Sequence, residues 1–172
     1  MKYIDKTYFK NQTSIPNQNE SFVGLDDIIK SGTKEILIKT VGHAIWDLLQ
    51  TSTNYDDTDS SLYKLLCGET YTDNDGVVCR WEGLVNSDKH SFISDYCWLK
   101  WSEENWLLNF GGGSGTIEPS EATVKNQNIR RAKVEADMEK GIKSLYDWIY
   151  YTEPFNDFEF VYDFKNPVSW LF

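Results

Sequence analysis

Between residues 21 and 49 the apolar positions come in groups about four or eight apart: Ile28 with Ile29, Ile36 with Leu37, Val41 with Ala44 and Ile45, then Leu48 with Leu49. That spacing predicts helix, one side of which faces a core. Gly32 and Gly42 interrupt it, and glycine is poor in a helix interior, so two or three short helices meeting at angles are expected rather than one rod. Residues 62–68 (LYKLLCG) predict a short helix stopped by Gly68. In residues 71–81 (YTDNDGVVCRW) the pair Asp75-Gly76 sits between a polar stretch and Val77-Val78, the signal of a small β-hairpin.

Residues 87–109 predict a helix capped by Ser87. Phe92, Ile93, Tyr96, Cys97, Trp98, Leu99, Trp101, Leu107 and Leu108 cover most of its circumference, which predicts a central, mostly buried element. A last, charged helix runs from Ser120 to about Tyr151. Ala132, Ala136 or Met138, Ile142, Leu145 and Ile149 line one side, its first half is polar, and Pro154 ends it.

The segments between and around these helices carry a different pattern. Residues 1–17 (MKYIDKTYFKNQTSIPN) mix aromatic and polar residues without a helical period, and Pro16 holds Ile15 extended, so an extended arm is expected. Residues 51–61 are polar, acidic and aperiodic, hence a surface loop. Residues 110–120 (FGGGSGTIEPS) hold Gly111, Gly112, Gly113 and Gly115, and glycine loses the most backbone freedom on ordering. Such a segment is expected to stay loose until an outside surface fixes it. After Pro154, Phe158, Phe160, Tyr162 and Phe164 alternate with Glu159 and Asp163, the period-two pattern of a strand or extended tail with one apolar edge. That edge either packs back on the domain or pairs with another chain.

Composition narrows the function classes. With 172 residues, 40% of them hydrophobic, and seven Trp, ten Tyr and nine Phe, the chain can build a real core and suits one compact domain. Its net charge of −10 removes the attraction that supplies most non-specific nucleic-acid affinity. The same charge suits a passage through which DNA slides without sticking. Three cysteines (Cys67, Cys79, Cys97) form no metal-ligand pattern, and their odd number fits a reducing compartment. The opening residues show no export signal, and no apolar run is long enough to span a membrane, so a soluble protein is expected.

Candidate chemistry is sparse. In YTDNDGVVCRWE, Asp73, Asp75, Gly76 and Glu82 take positions three, five, six and twelve of a calcium loop, but Tyr71 stands where the first carboxylate belongs. A plain hairpin with an acidic turn is the preferred reading, and Asp56, Asp57 and Asp59 read as a solvated loop. His43 and His90 lack a chemical partner, Cys97 sits in an apolar run, and Trp98, Trp101 and Trp106 at helical spacing read as core. Ser114 lies in GGGSGT, which fits neither a nucleophile elbow nor a phosphate loop. No catalytic residue, cofactor or metal is expected.

The order of features carries more than any one motif. The opening KYIDKTYFKNQTSIPN, then LIKTVGHAIWDLL, LYKLLCGETY, WEGLV, SFISDYCWLKW, the Gly-Thr-Ile-Glu-Pro loop and the closing LYDWIYY together resemble the small head-tail connector, or adaptor, proteins of tailed bacteriophages, in particular those of gut-bacterial phages. The resemblance spans roughly residues 1–151; the tail from Thr152 departs from the pattern. It implies an α-helical protomer assembled as a homo-oligomeric ring, commonly a dodecamer. Such a ring sits beneath the portal protein at the capsid vertex, extends the DNA channel and presents a docking face to downstream tail proteins, without catalysis, specific DNA binding or membrane contact. It also implies a virion protein made in the host cytoplasm.

The expected fold is therefore mainly α, a bundle of four to five helices with a small β-hairpin and extended N- and C-terminal arms. Residues 1–20 would form the first arm, 21–151 the helical domain with 111–119 as a flexible loop, and 152–172 the aromatic tail. Expected partner contacts are Tyr3, Tyr8 and Phe9; Gly111, Gly112, Gly113, Gly115 and Ile117; and Phe158, Phe160, Tyr162 and Phe164. The alternative reading is a small cytosolic phage protein that binds a host partner through its aromatic tail.

Overall fold

A computed structural model describes residues 3–15, 24–52, 57–104 and 121–155. Along them run two single 3-10 turns (Lys6–Tyr8 and Asn11–Thr13) and helices α1 (Leu25–Thr51) and α2 (Ser61–Cys67). Strands β1 (Glu69–Thr72) and β2 (Val78–Trp81) follow, then helices α3 (Phe92–Glu104) and α4 (Glu121–Thr152). The described residues are mainly helical with a small antiparallel hairpin. Among the described residues no helix is long and apolar enough to cross a membrane.

The wide apolar coverage of α3 makes it the centre of the fold. Every residue from Ser91 to Leu99 is buried, with α1 packed on one side and α4 on the other. Its start differs from the sequence reading. Ser87 lies in a loop held by the Asn86 side chain, which donates to the His90 carbonyl (2.6 Å) and accepts from the His90 N–H (3.2 Å). The first turn is organised instead by Ser91, whose hydroxyl accepts from the Ile93 N–H and whose carbonyl accepts from Ser94 and Asp95. An Asn side chain that ties off its own loop outcompetes a serine cap five residues ahead of the apolar run.

Two glycines let the helices approach α3 closely. A Cβ on Gly32 of α1 would lie 2.8 Å from Cys97 Sγ, and one on Gly141 of α4 would lie 2.9 Å from Phe92 Cβ. Gly32 therefore continues the helix and serves as a crossing point. The break falls at Gly42, whose φ of 83° and ψ of 168° lie outside helical geometry. We expect Gly32→Ala to cost about 1–3 kcal/mol by overpacking. Combined with Cys97→Ala it should cost about 1 kcal/mol less than the two single changes added together, as read from urea midpoints. Strict additivity would mean that the two side chains do not share this space.

On α4 the buried stripe is Val134, Met138, Ile142, Leu145 and Ile149, joined by Tyr146 and Trp148. Ala132 and Ala136 are exposed, so the stripe runs two positions away from the alanines. Val and Met offer more apolar area than alanine, and their burial sets the rotation of the helix. Trp148 stacks on Trp81 of β2 (6.2 Å between centroids), and its indole N–H donates to Glu69 (3.0 Å). These contacts fix the hairpin against the helix.

The hairpin register pairs Glu69 with Trp81, Thr70 with Arg80, Tyr71 with Cys79 and Thr72 with Val78. Its end interlocks with the end of α2. The carbonyl of Leu65 accepts from the Leu84 N–H and from the Trp81 indole (both 3.1 Å), and that of Leu66 accepts from the Val85 N–H (2.8 Å). Orphan helix carbonyls are satisfied by the chain that returns from β2.

Candidate interaction groove

The aromatic residues near the N-terminus are buried within the protomer. Tyr3, Tyr8 and Phe9 are each 4% exposed or less, and Ile4 and Ile15 are buried with them. This corrects the expectation of an extended arm: residues 3–15 form two 3-10 turns laid on the helices. Five large apolar side chains in thirteen residues stabilise more by burial than by waiting in water, about 1.5–3 kcal/mol each. The Tyr3 hydroxyl donates to the Leu49 carbonyl (3.2 Å) and accepts from Gln50 (3.1 Å). At the other end of the segment, Arg130 of α4 donates to the carbonyls of Gln12 and Ser14 while its guanidinium lies over Trp98. The remaining expected contacts, Gly111, Gly112, Gly113, Gly115 and Ile117 and then Phe158, Phe160, Tyr162 and Phe164, lie outside the described residues.

Laying the opening segment along α1 leaves a groove between them of about 520 Å³. Tyr3, Ile4, Ile29 and the half-buried Trp46 make it apolar. Lys30 and Lys34, one turn apart and exposed, stand on its rim. Among the described residues neither lysine has an ion-pair partner, whereas Asp26 nearby is engaged by Lys6 (3.3 Å). Like charges at this helical spacing repel. An apolar slot with two uncompensated cations at its edge suits a ligand that is both aromatic and anionic. Sequence reasoning missed it because the slot exists only where two distant segments meet.

A second cavity, about 200 Å³, opens over the first turn of α3. Asp95 reaches it with 1% exposure, and among the described residues its Oδ2 has no hydrogen-bond partner. His90 Nε2 stands 3.7 Å away, too far for a hydrogen bond. Lys10 from the opening segment, Asp88 and Lys89 from the preceding loop, and Lys133 and Asp137 from α4 complete the surroundings. Burial pushes the Asp95 carboxyl up to about 8, and the charge of Asp137 adds to the rise.

No family model, curated protein or solved structure matches this chain.

The acidic hairpin that suggested a calcium loop is occupied by its own backbone. Asp73 Oδ1 accepts from the N–H groups of Asp75 (3.0 Å) and Val77 (2.8 Å), which shapes the turn, and Glu82 pairs with Arg80 (3.2 Å). Among the described residues no group of three or more His, Cys, Asp or Glu is arranged to hold a metal ion. Trp98 and Trp101 are buried in the core, as their spacing predicts, and Trp106 lies outside the described residues. His43 is exposed on α1. Burial pushes the Cys97 thiol up to about 12, so it stays protonated at neutral pH and packs as an apolar group.

Proposed function

We propose that this chain is a structural virion protein, a head-tail connector that forms a ring between portal and tail, extends the DNA channel and offers a docking surface for tail assembly. The observation that carries the reading is the contrast between a chain of net charge −10 and an apolar groove rimmed by two lysines that have no ion-pair partner among the described residues. An acidic wall repels DNA within about 8 Å at physiological salt, so a genome passes without adhering. The groove meanwhile gives the protomer a place to hold an acidic polypeptide, as a protein working by assembly needs. The mainly helical protomer agrees with what the resemblance to connector proteins implies.

Light scattering on the purified protein and electron cryomicroscopy of the parent particle test the proposal. The expected result is a closed ring at the portal vertex. A monomer attached elsewhere, or none in the particle, overturns it. Deleting residues 152–172 should leave filled heads without tails; normal virions that have lost only a host partner would favour the host-binding alternative.

A further inference from the structure

We propose that the groove between the opening segment and α1 is the socket for the C-terminal segment, residues 156–172, of a second copy of this chain. The inference rests on the ring reading and supplies the contact that would close the ring. Chemical complementarity selects this occupant. Residues 156–172 contain three carboxylates (Asp157, Glu159, Asp163) against the single Lys165, and aromatic residues at every second position from Phe158 to Phe164. In extended chain, alternate side chains fall on opposite sides, so one side is aromatic while Glu159 and Asp163 lie on the other. The slot supplies the matching pair of properties: an apolar floor at Ile4, Ile29 and Trp46, and the cations Lys30 and Lys34 at its edge, while the one carboxylate in its lining, Asp26, is paired with Lys6. A carboxylate set between those lysines removes their mutual repulsion. The volume, about 520 Å³, falls in the range that holds a few peptide side chains.

The path of the chain favours a neighbour's segment. The groove is built on α1 and residues 3–4, whereas the segment departs from α4, which packs on a different side of α3. Phe155, the last described residue, is buried edge-on against Trp148, beside Trp81 of the hairpin. A segment that leaves one side of a protomer and fills a socket on its neighbour makes a heterologous contact, the kind that repeats around a ring.

Charge reversal in the full-length protein tests this. Lys30→Glu with Lys34→Glu should weaken self-association about tenfold or more, read by mass photometry and sedimentation, and Glu159→Lys with Asp163→Lys should do the same. Mixing the two variants should restore association, because each then offers the partner that the other lacks. A benzoylphenylalanine in place of Phe160, in protein mixed with an isotope-labelled copy, should cross-link between labelled and unlabelled chains and onto α1. Copies that associate normally despite both reversals would overturn the socket and leave the ring standing. Cross-links confined to one chain would show that the groove holds its own tail, and cross-links away from α1 that it holds another segment; either overturns the proposal. Wild-type protein that stays monomeric at every concentration and in the particle overturns both the socket and the ring.

Discussion

Asp95→Asn is expected to stabilise this protein by about 2–4 kcal/mol at pH 8, with the gain shrinking toward zero at pH 4. The unfolded chain releases the Asp95 proton near the ordinary 3.8, while the folded protein holds it up to about 8 because the carboxyl is buried and faces Asp137. Between those values the native state binds more protons than the unfolded state, so stability falls as pH rises. Asparagine keeps the shape of the protonated acid and has no proton to lose. Thermal melts of the two proteins from pH 4 to pH 8 give the measurement. A substitution that destabilises at pH 8 would mean that Asp95 is ionised in the fold and paired across 3.7 Å with His90. Glu35 acts in the opposite sense and at lower pH. Against the desolvation of partial burial, hydrogen bonds from Lys100, Tyr96 and Lys39 hold its carboxyl at about 2. The stability it adds is therefore present above about 4.5 and lost as pH falls toward 2, in both proteins alike.

Gly83→Ala is expected to cost about 3 kcal/mol or more, against about 1 kcal/mol for Gly76→Ala. Both glycines have positive φ, 85° and 79°. They differ in what surrounds them. A Cβ on Gly76, at the hairpin turn, meets nothing within 4 Å, so only the backbone conformation is strained. A Cβ on Gly83 would lie 2.4 Å from the Leu66 carbonyl oxygen and 2.6 Å from the Gly68 nitrogen, and backbone cannot swing aside as a side chain can. Making room would break the bonds from Leu84 and Val85 to the end of α2 and loosen Trp81. Guanidinium unfolding of both variants decides it. Equal losses would mean that the junction of α2 and the hairpin is soft.

The helices were legible because their apolar spacing reports burial directly. Even the coverage around Phe92–Glu104 translated into a helix packed on both sides. The opening segment was misread because aperiodic chain with scattered aromatics looks the same whether it reaches out or lies on its own domain. What decided it was the surface of α1 and α4 to which Tyr3 and Arg130 are tied, and that surface is assembled from residues more than forty positions away.

Local pattern alone determined which stretches coil, where the hairpin turns and that α3 is central, since each follows from side chains a few residues apart. The groove, the cavity over α3, the burial of Asp95 and the close approaches at Gly32 and Gly83 belong to the tertiary structure. They depend on distances between distant segments, and in a single chain those distances are set only when the helices pack.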